Sequence, residues 1–365
     1  MRITELTAQT TRLLFEMVER EGLRYAYLRN YEHLPSLQGH DGGFSTDIDL
    51  VMDSRDLPKW REILAQVAAE CGWETVTYCD HWARSPIRHH NIDVFRMFSR
   101  DPFVCLQIDI FHGLLVYGVP LVDEQSLLRD SSYYSAKRVT RIDLNQQNVY
   151  RLVQMAALYP ESAAKVKRYR QKVCAHAMAE GEAFRRSLAQ YFGPAGELAL
   201  TALLANDFGR FKRYMRAGQR HSAFHYARHH LTEIPRIVYH RLRDHLSRFY
   251  TDQCGAKLLI CIEEQNRPLV RSILDEFVTA TVMDIWIERS AGETAMRDHV
   301  LMEQGAFVIQ WADADKASLD LRACPDREAI GQALLSFIIG RHEVLYAKDS
   351  NPSGVSHLVG MSNSL

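Results

Sequence analysis

Two short segments constrain this chain more than anything else in it. TDIDLVM at 46–52 and VCLQIDIFHG at 104–113 both alternate apolar with acidic or polar residues. A period of two is the signature of a strand, so Ile48, Leu50 and Met52 share one face while Asp47 and Asp49 point to the other. Asp109 sits in the second segment in the same alternating pattern. A chain built this way needs a sheet with one apolar side and a localised acidic patch. Carboxylates about 7 Å apart on one strand repel each other unless something positive lies between them. A divalent metal meets that need, and a third carboxylate from another strand completes an oxygen donor set suited to Mg2+ or Mn2+. A DxD pair can also simply be the solvated face of an edge strand, so the surrounding sequence has to decide.

That surrounding sequence is patterned throughout. Leu6, Leu13, Leu14, Met17 and Val18 recur at helical spacing and Gly22 follows, which predicts a helix over 4–21. A short strand is expected at 25–28, a loop at 30–46 and a helix at 55–71. Extended segments follow at 73–79, 91–97 and 104–111, and VTRIDL begins another strand at 139. From about 145 to 250 the pattern is almost entirely helical. From 255 to 345 strands (KLLICI, TVMDIWIE, AFVIQW, SLDLRA) alternate with helices at 265–277 and 326–340, which reads as a small α/β unit. The expected class is therefore α/β (α+β). Its units are 1–143 around the acidic strands, a helical 144–250, an α/β 251–348 and a loose Ser/Asn/Gly-rich tail at 349–365.

Composition removes several classes. With 47% hydrophobic and 24% charged residues, the 365-residue chain is not mainly disordered. A formal net charge of −1 announces no nucleic-acid binder. No apolar run approaches the roughly 20 residues of a membrane span, and the first 22 residues lack the apolar core of a secretory signal. Seven cysteines, odd in number and without a CxxC pair, are the usage of reduced thiols in the cytoplasm, the expected compartment.

The order of parts (helix 4–21, YAYLRNYEHLP at 25–35, DIDL at 47–50, IDIF at 108–111) resembles the nucleotidyltransferase superfamily of the DNA polymerase beta type. More narrowly, LRNYEHLP, DIDLVM and LQIDIFHGLLVYGVPL resemble a bacterial group of nucleotidyltransferase-like proteins whose genes often sit among those for surface polysaccharides. The resemblance covers about residues 1–130. It implies a mixed sheet with flanking helices and a Mg2+- or Mn2+-dependent transfer of a nucleoside monophosphate from a nucleoside triphosphate to an unidentified hydroxyl or phosphate acceptor. It makes Asp47, Asp49 and Asp109 the catalytic and metal-holding residues. Most of the superfamily opens a helix with a Gly-Ser or Gly-Gly pair that holds the triphosphate. Here Leu28-Arg29-Asn30 stands instead, so Arg29, as a planar fork, and Asn30 are the expected phosphate contacts. Ser45, beside Gly42 and Gly43, is a further candidate, although it comes too close to Asp47 for the usual register.

HWARSPIRHHNIDVF at 81–95 fits no structural zinc spacing. It reads as a polar hairpin beside the pocket, with Arg84 and Arg88 as phosphate contacts and Asp93 as a rival third carboxylate. Asp109 is preferred for its clean alternation, and His112 lies close enough in sequence to approach the site or to serve structurally. The stretch 205–250 is basic, with Arg210, Lys212, Arg213, Arg216, Arg220 and Arg228 among others. A solvated helical face is its default reading. A groove for an anionic polymer such as RNA, or an anionic membrane surface, is the sharper one. In some proteins of the narrower group a P-loop kinase-like domain follows. At 251–348 no GxxxxGK[ST] is present, so such a domain would be degenerate, with a structural, homo-oligomerising or acceptor-binding role. A non-catalytic nucleotide- or glycan-binding scaffold therefore stands beside the enzyme as an alternative.

Overall fold

The computed structural model describes residues 3–29, 31–34, 47–80, 90–101, 103–116, 119–135, 139–157, 161–235, 238, 255–279, 285–290, 302 and 306–348. Asn30, Ser45, Arg84, Arg88, the arginines at 236–250 and the tail 349–365 lie outside the described residues. The fold is α/β.

Helix α1 (Ile3–Arg20) buries Leu6, Leu14, Met17 and Val18 on one side. Its Thr7, Thr10 and Thr11 hydroxyls donate to carbonyls one turn back, so these polar groups enter the core already satisfied. Gly22, at φ 70°, ends it, as a residue without a Cβ can. Strands β1 (Tyr25–Arg29) and β2 (Asp47–Met52) follow, then α2 (Leu57–Cys71), which carries Pro58 in its first turn and is stopped by Gly72 at φ 81°. Next come β3 (Thr75–Asp80), β4 (His90–Arg100), β5 (Phe103–Val116), β6 (Val119–Asp123) and the short α3 (Glu124–Arg129), then β7 (Ser132–Tyr134) and β8 (Val139–Arg141). The helical region is α4 (Leu144–Ala157), α5 (Ala164–Ala179), α6 (Gly181–Phe192), α7 (Pro194–Leu204) and α8 (Phe208–His229).

Two parity classes of strand residue make a three-layer arrangement. On one face Ile48, Leu50, Met52, Phe95, Met97, Ile108 and Ile110 pack with α1 and α2. On the other, Ala26, Leu28, Val51, Val94 and Phe111 pack with α4 to α8 through residues such as Tyr150, Val153, Leu188 and Phe211. Each fully buried Leu, Ile or Phe is worth roughly 1.5–3 kcal/mol, so this alternation sets the register firmly. Asp47 and Asp49 share the parity of Val51, and Asp109 that of Phe111, which puts all three carboxylates on the face that meets the helical layer.

The last part of the chain forms a second sheet from β9 (Lys257–Cys261), β10 (Ile285–Glu288), β11 (Ala306–Trp311) and β12 (Leu319–Asp320), with α9 (Arg267–Thr279) and α10 (Arg327–Ile339). Its strands are parallel in the order β10-β11-β9-β12. All four strands and both helices lie where the periodicity expects them. One element does not respect the expected unit boundary at 251. Strand β13 (Glu343–Ala347) returns to the first sheet and pairs antiparallel with β3, Val344 opposite Thr77 and Tyr346 opposite Val76. Phe103 stacks on Phe277 at 5.4 Å, and Phe98 and Cys105 are buried in the core of the second sheet. The full order in the first sheet is β13-β3-β4-β5-β2-β1-β8-β7, with β6 added on β5. Among the described residues no helix is long and apolar enough to cross a membrane. Cys71, Cys174, Cys261 and Cys324 are free thiols.

Candidate functional site: an acidic triad with a buried guanidinium

Strands β2 and β5 run parallel side by side, with Asp47 opposite Gln107 and Asp49 opposite Asp109. This register joins two parts of the chain 60 residues apart. One carboxylate oxygen from each of Asp47, Asp49 and Asp109 lies within 4.8 Å of the others. Asp49 is fully buried and Asp109 is 8% exposed. Burial first, then the neighbouring Asp47 and Asp49 charges, push the Asp109 carboxyl well above the usual carboxylate range; Arg29 and Arg96 pull the other way. Both Asp109 oxygens accept from the Gln107 amide, at 3.0 and 3.3 Å, and Gln107 is held by the Arg96 Nε at 2.9 Å.

Arg29 is where structure and expectation part. Its fork is turned onto Asp49 rather than toward an open phosphate pocket. Nε donates to Asp49 Oδ2 at 2.6 Å and Nη2 to Oδ1 at 2.8 Å. Nη1 donates to Gln154 Oε1 at 2.7 Å and to the Tyr169 hydroxyl. The Tyr150 ring lies 5.4 Å from its central carbon, and Gln154 in turn donates to the Tyr150 hydroxyl. Only 6% of the residue is exposed. Burial alone would lower the guanidinium's proton affinity, but Asp49, Tyr169 and Tyr150 outweigh it, so Arg29 stays charged.

A β-bulge sets this geometry. Along β1 and β2, Tyr27 faces Leu50, but the next paired residue is Arg29, opposite Asp49. Leu28 is the extra residue. In an unbroken ladder Leu28 would face Asp49, and Arg29 would point to the α1/α2 side, where no carboxylate of the triad lies. The bulge sends Leu28 and Arg29 both toward the helical layer. The displaced Leu28 carbonyl accepts from the Gln147 amide of α4 at 2.6 Å. Helix α4 buries Gln146, Gln147, Asn148, Arg151 and Gln154, an unusual polar load, and two of these glutamines serve the bulge and the guanidinium. That excess of amides inside NQQNVYRLVQ was the available signal for Gln154. Tyr169 carried no signal of its own.

The donor types are those a hard divalent cation takes: three carboxylates, each with an oxygen within 4.8 Å of the others. A carboxylate offers about four lone-pair sites, and Arg29 uses two of those on Asp49, so Asp49 can pair with Arg29 and still ligate.

A second polar chain lies further along the same strands. His112 Nε2 meets Asp93 Oδ2 at 2.5 Å and Nδ1 meets Glu124 Oε2 at 3.2 Å. Tyr78 donates to Asp93 at 2.6 Å, and the Ser54 amide and hydroxyl donate to Glu124 at 3.2 and 2.8 Å. Burial works against a charge on His112, but the bonds to Asp93 and Glu124 prevail and push its pKa up to about 9. Asp93 is thus spoken for, and Asp109 is the carboxylate that joins Asp47 and Asp49. His112 ties β4, β5 and α3 together.

The described part of the basic stretch is one face of α8. Phe208, Phe211, Met215, Gly218 and Gln219 are buried, whereas Arg210, Arg213, Arg216, Arg220 and Arg228 are exposed. Phe211 is core rather than a stacking platform.

No family model matches this chain, and comparison with curated proteins and with solved structures finds no match.

Proposed function

We propose that this chain is a divalent-cation-dependent nucleotidyltransferase that moves a nucleoside monophosphate from a nucleoside triphosphate to a hydroxyl or phosphate acceptor. The observation that carries the reading is the pairing of Asp49 with Asp109 beside Asp47, which gathers three carboxylates from two strands onto one face. Asp47, Asp49 and Asp109 hold the cation. Bound there, Mg2+ supplies charge to the triphosphate oxygens and acidity to the attacking hydroxyl. Asp109, on β5, takes the role of the carboxylate nearest the attacking acceptor, and its hydrogen bond from Gln107 orients it. Arg29 neutralises one carboxylate and holds Asp49 in a single rotamer from the opposite side. In the reaction the acceptor oxygen forms a bond to the α-phosphorus, the bond to the bridging oxygen breaks, and pyrophosphate leaves with the electron pair. The acceptor proton passes to solvent. The resemblance to proteins of surface-polysaccharide gene clusters is what supports an acceptor from that metabolism.

Pyrophosphate release from each nucleoside triphosphate with Mg2+ and mixed sugar-phosphate acceptors tests the reading. Asp47→Asn should abolish release while the chain stays folded; full activity in that variant would refute the assignment. A second reading, a non-catalytic nucleotide- or glycan-binding scaffold, draws on one observation. Arg29 is spent on Asp49, so the residue expected to grip a phosphate is not directed at one. Calorimetric binding of nucleotide without turnover would favour it.

A further inference from the structure

Arg29 is an unusual occupant for a site meant to gather cations. Acidic sites of phosphoryl-transfer enzymes commonly hold two metals about 3.5–4 Å apart, bridged by a shared carboxylate. Asp49 would be that bridge here, since it lies between Asp47 on its own strand and Asp109 on the next. Yet the two sides of Asp49 are not equivalent. Strand β5 brings Asp109 from one side, and strand β1 brings Arg29 from the other. The guanidinium covers both Asp49 oxygens at 2.6 and 2.8 Å. It is anchored by Gln154 and Tyr169 from two helices, so it cannot swing aside without orphaning buried polar groups.

We infer that Arg29 is a built-in cation that occupies the place of a second metal, so that the triad takes one divalent ion and no more. The inference rests on the metal-dependent reading of the triad proposed above. Charge balance supports it. Three carboxylates less one guanidinium leave at most two negative charges, no more than a single divalent ion balances. Arg96, buried behind Gln107, adds further positive potential at Asp109 and disfavours a second ion still more. The hydrogen bonds agree. Arg29 takes a site on each oxygen of Asp49, the carboxylate a second ion would have to share, and Gln107 takes one on each oxygen of Asp109. The single ion belongs on the β5 side, among Asp47, Asp49 and Asp109.

Titration of the full chain with Mn2+, followed by calorimetry and by electron paramagnetic resonance, decides the matter without any turnover. One Mn2+ per chain, with the six-line spectrum of an isolated ion and lost in Asp47→Asn, is the expected result. Two ions per chain with a spin-coupled spectrum would overturn the inference and leave the metal reading standing. No binding, or binding unchanged in Asp47→Asn, would remove the metal reading itself and the inference with it. Arg29→Gln, where it folds, should raise the stoichiometry from one to two, and Arg29→Lys should keep it at one. A folded Arg29→Gln that still takes one ion would show that the guanidinium is not what limits the site.

Discussion

Replacing Arg29 by methionine keeps an unbranched apolar stem and removes the charge and all the donors of the guanidinium. The structure sets the scale of the loss. Arg29 is 6% exposed and Asp49 fully buried, so the variant leaves a carboxylate in the interior with its two guanidinium bonds gone. Gln154 Oε1 and the Tyr169 hydroxyl lose their donor too. Breaking a buried pair from one side costs about 3–5 kcal/mol. Against a typical total of about 5–15 kcal/mol, that is a large share of the stability of the sheet. Urea unfolding read by hydrogen exchange of β2 and β5 peptides measures it where it acts. The companion is Arg29→Met with Asp49→Leu, which removes both charges and restores apolar packing. The double variant should recover most of the loss, because an apolar replacement of a whole buried pair is often neutral or better. A loss below about 1 kcal/mol in the single variant, or a double variant no better than the sum of its parts, would refute the claim that Arg29 is a buried counter-ion.

Three further outcomes follow from the same structure. His112 has its pKa raised from 6.5 to about 9, so it adds stability below pH 6.5 that is lost as pH rises through 9. That rise corresponds to roughly 3 kcal/mol at most, and His112→Gln should flatten the alkaline limb of a plot of unfolding free energy against pH. Asp109 is also raised by burial and by its acidic neighbours, so its ionised form at neutral pH is a strain on the fold; Asp109→Asn should unfold at higher temperature than the native chain without Mg2+, and lose the stabilisation that Mg2+ gives the native chain. Gly196 sits where an added Cβ would meet the Leu188 carbonyl oxygen at 2.5 Å, so Gly196→Ala should cost about 1–3 kcal/mol in chemical denaturation by forcing α6 and α7 apart.

Much of this architecture was legible in the chain. The period of two in TDIDLVM and LQIDIF predicted strands with one apolar side. The parity that sends Ile48, Leu50, Ile108 and Ile110 into the α1/α2 core sends Asp47, Asp49 and Asp109 the other way. The helices from 144 and the alternating elements from 257 to 339 likewise follow from local periodicity. The role of Arg29 did not. A reading of LRNY takes Arg29 as a side chain next to an opening turn and cannot see the bulge at Leu28, because a bulge exists only between two paired strands.

By itself, then, the sequence determined which residues share a face, since side-chain direction is a local property of the strand. Only the tertiary structure decided which faces meet. It drew Gln154 and Tyr169, 125 and 140 residues away, onto one guanidinium, and it brought β13 back beside β3. Pairing register and long-range charge neutralisation depend on where distant segments stop, and that is set by the packing free energy of the whole sheet rather than by any window of the chain.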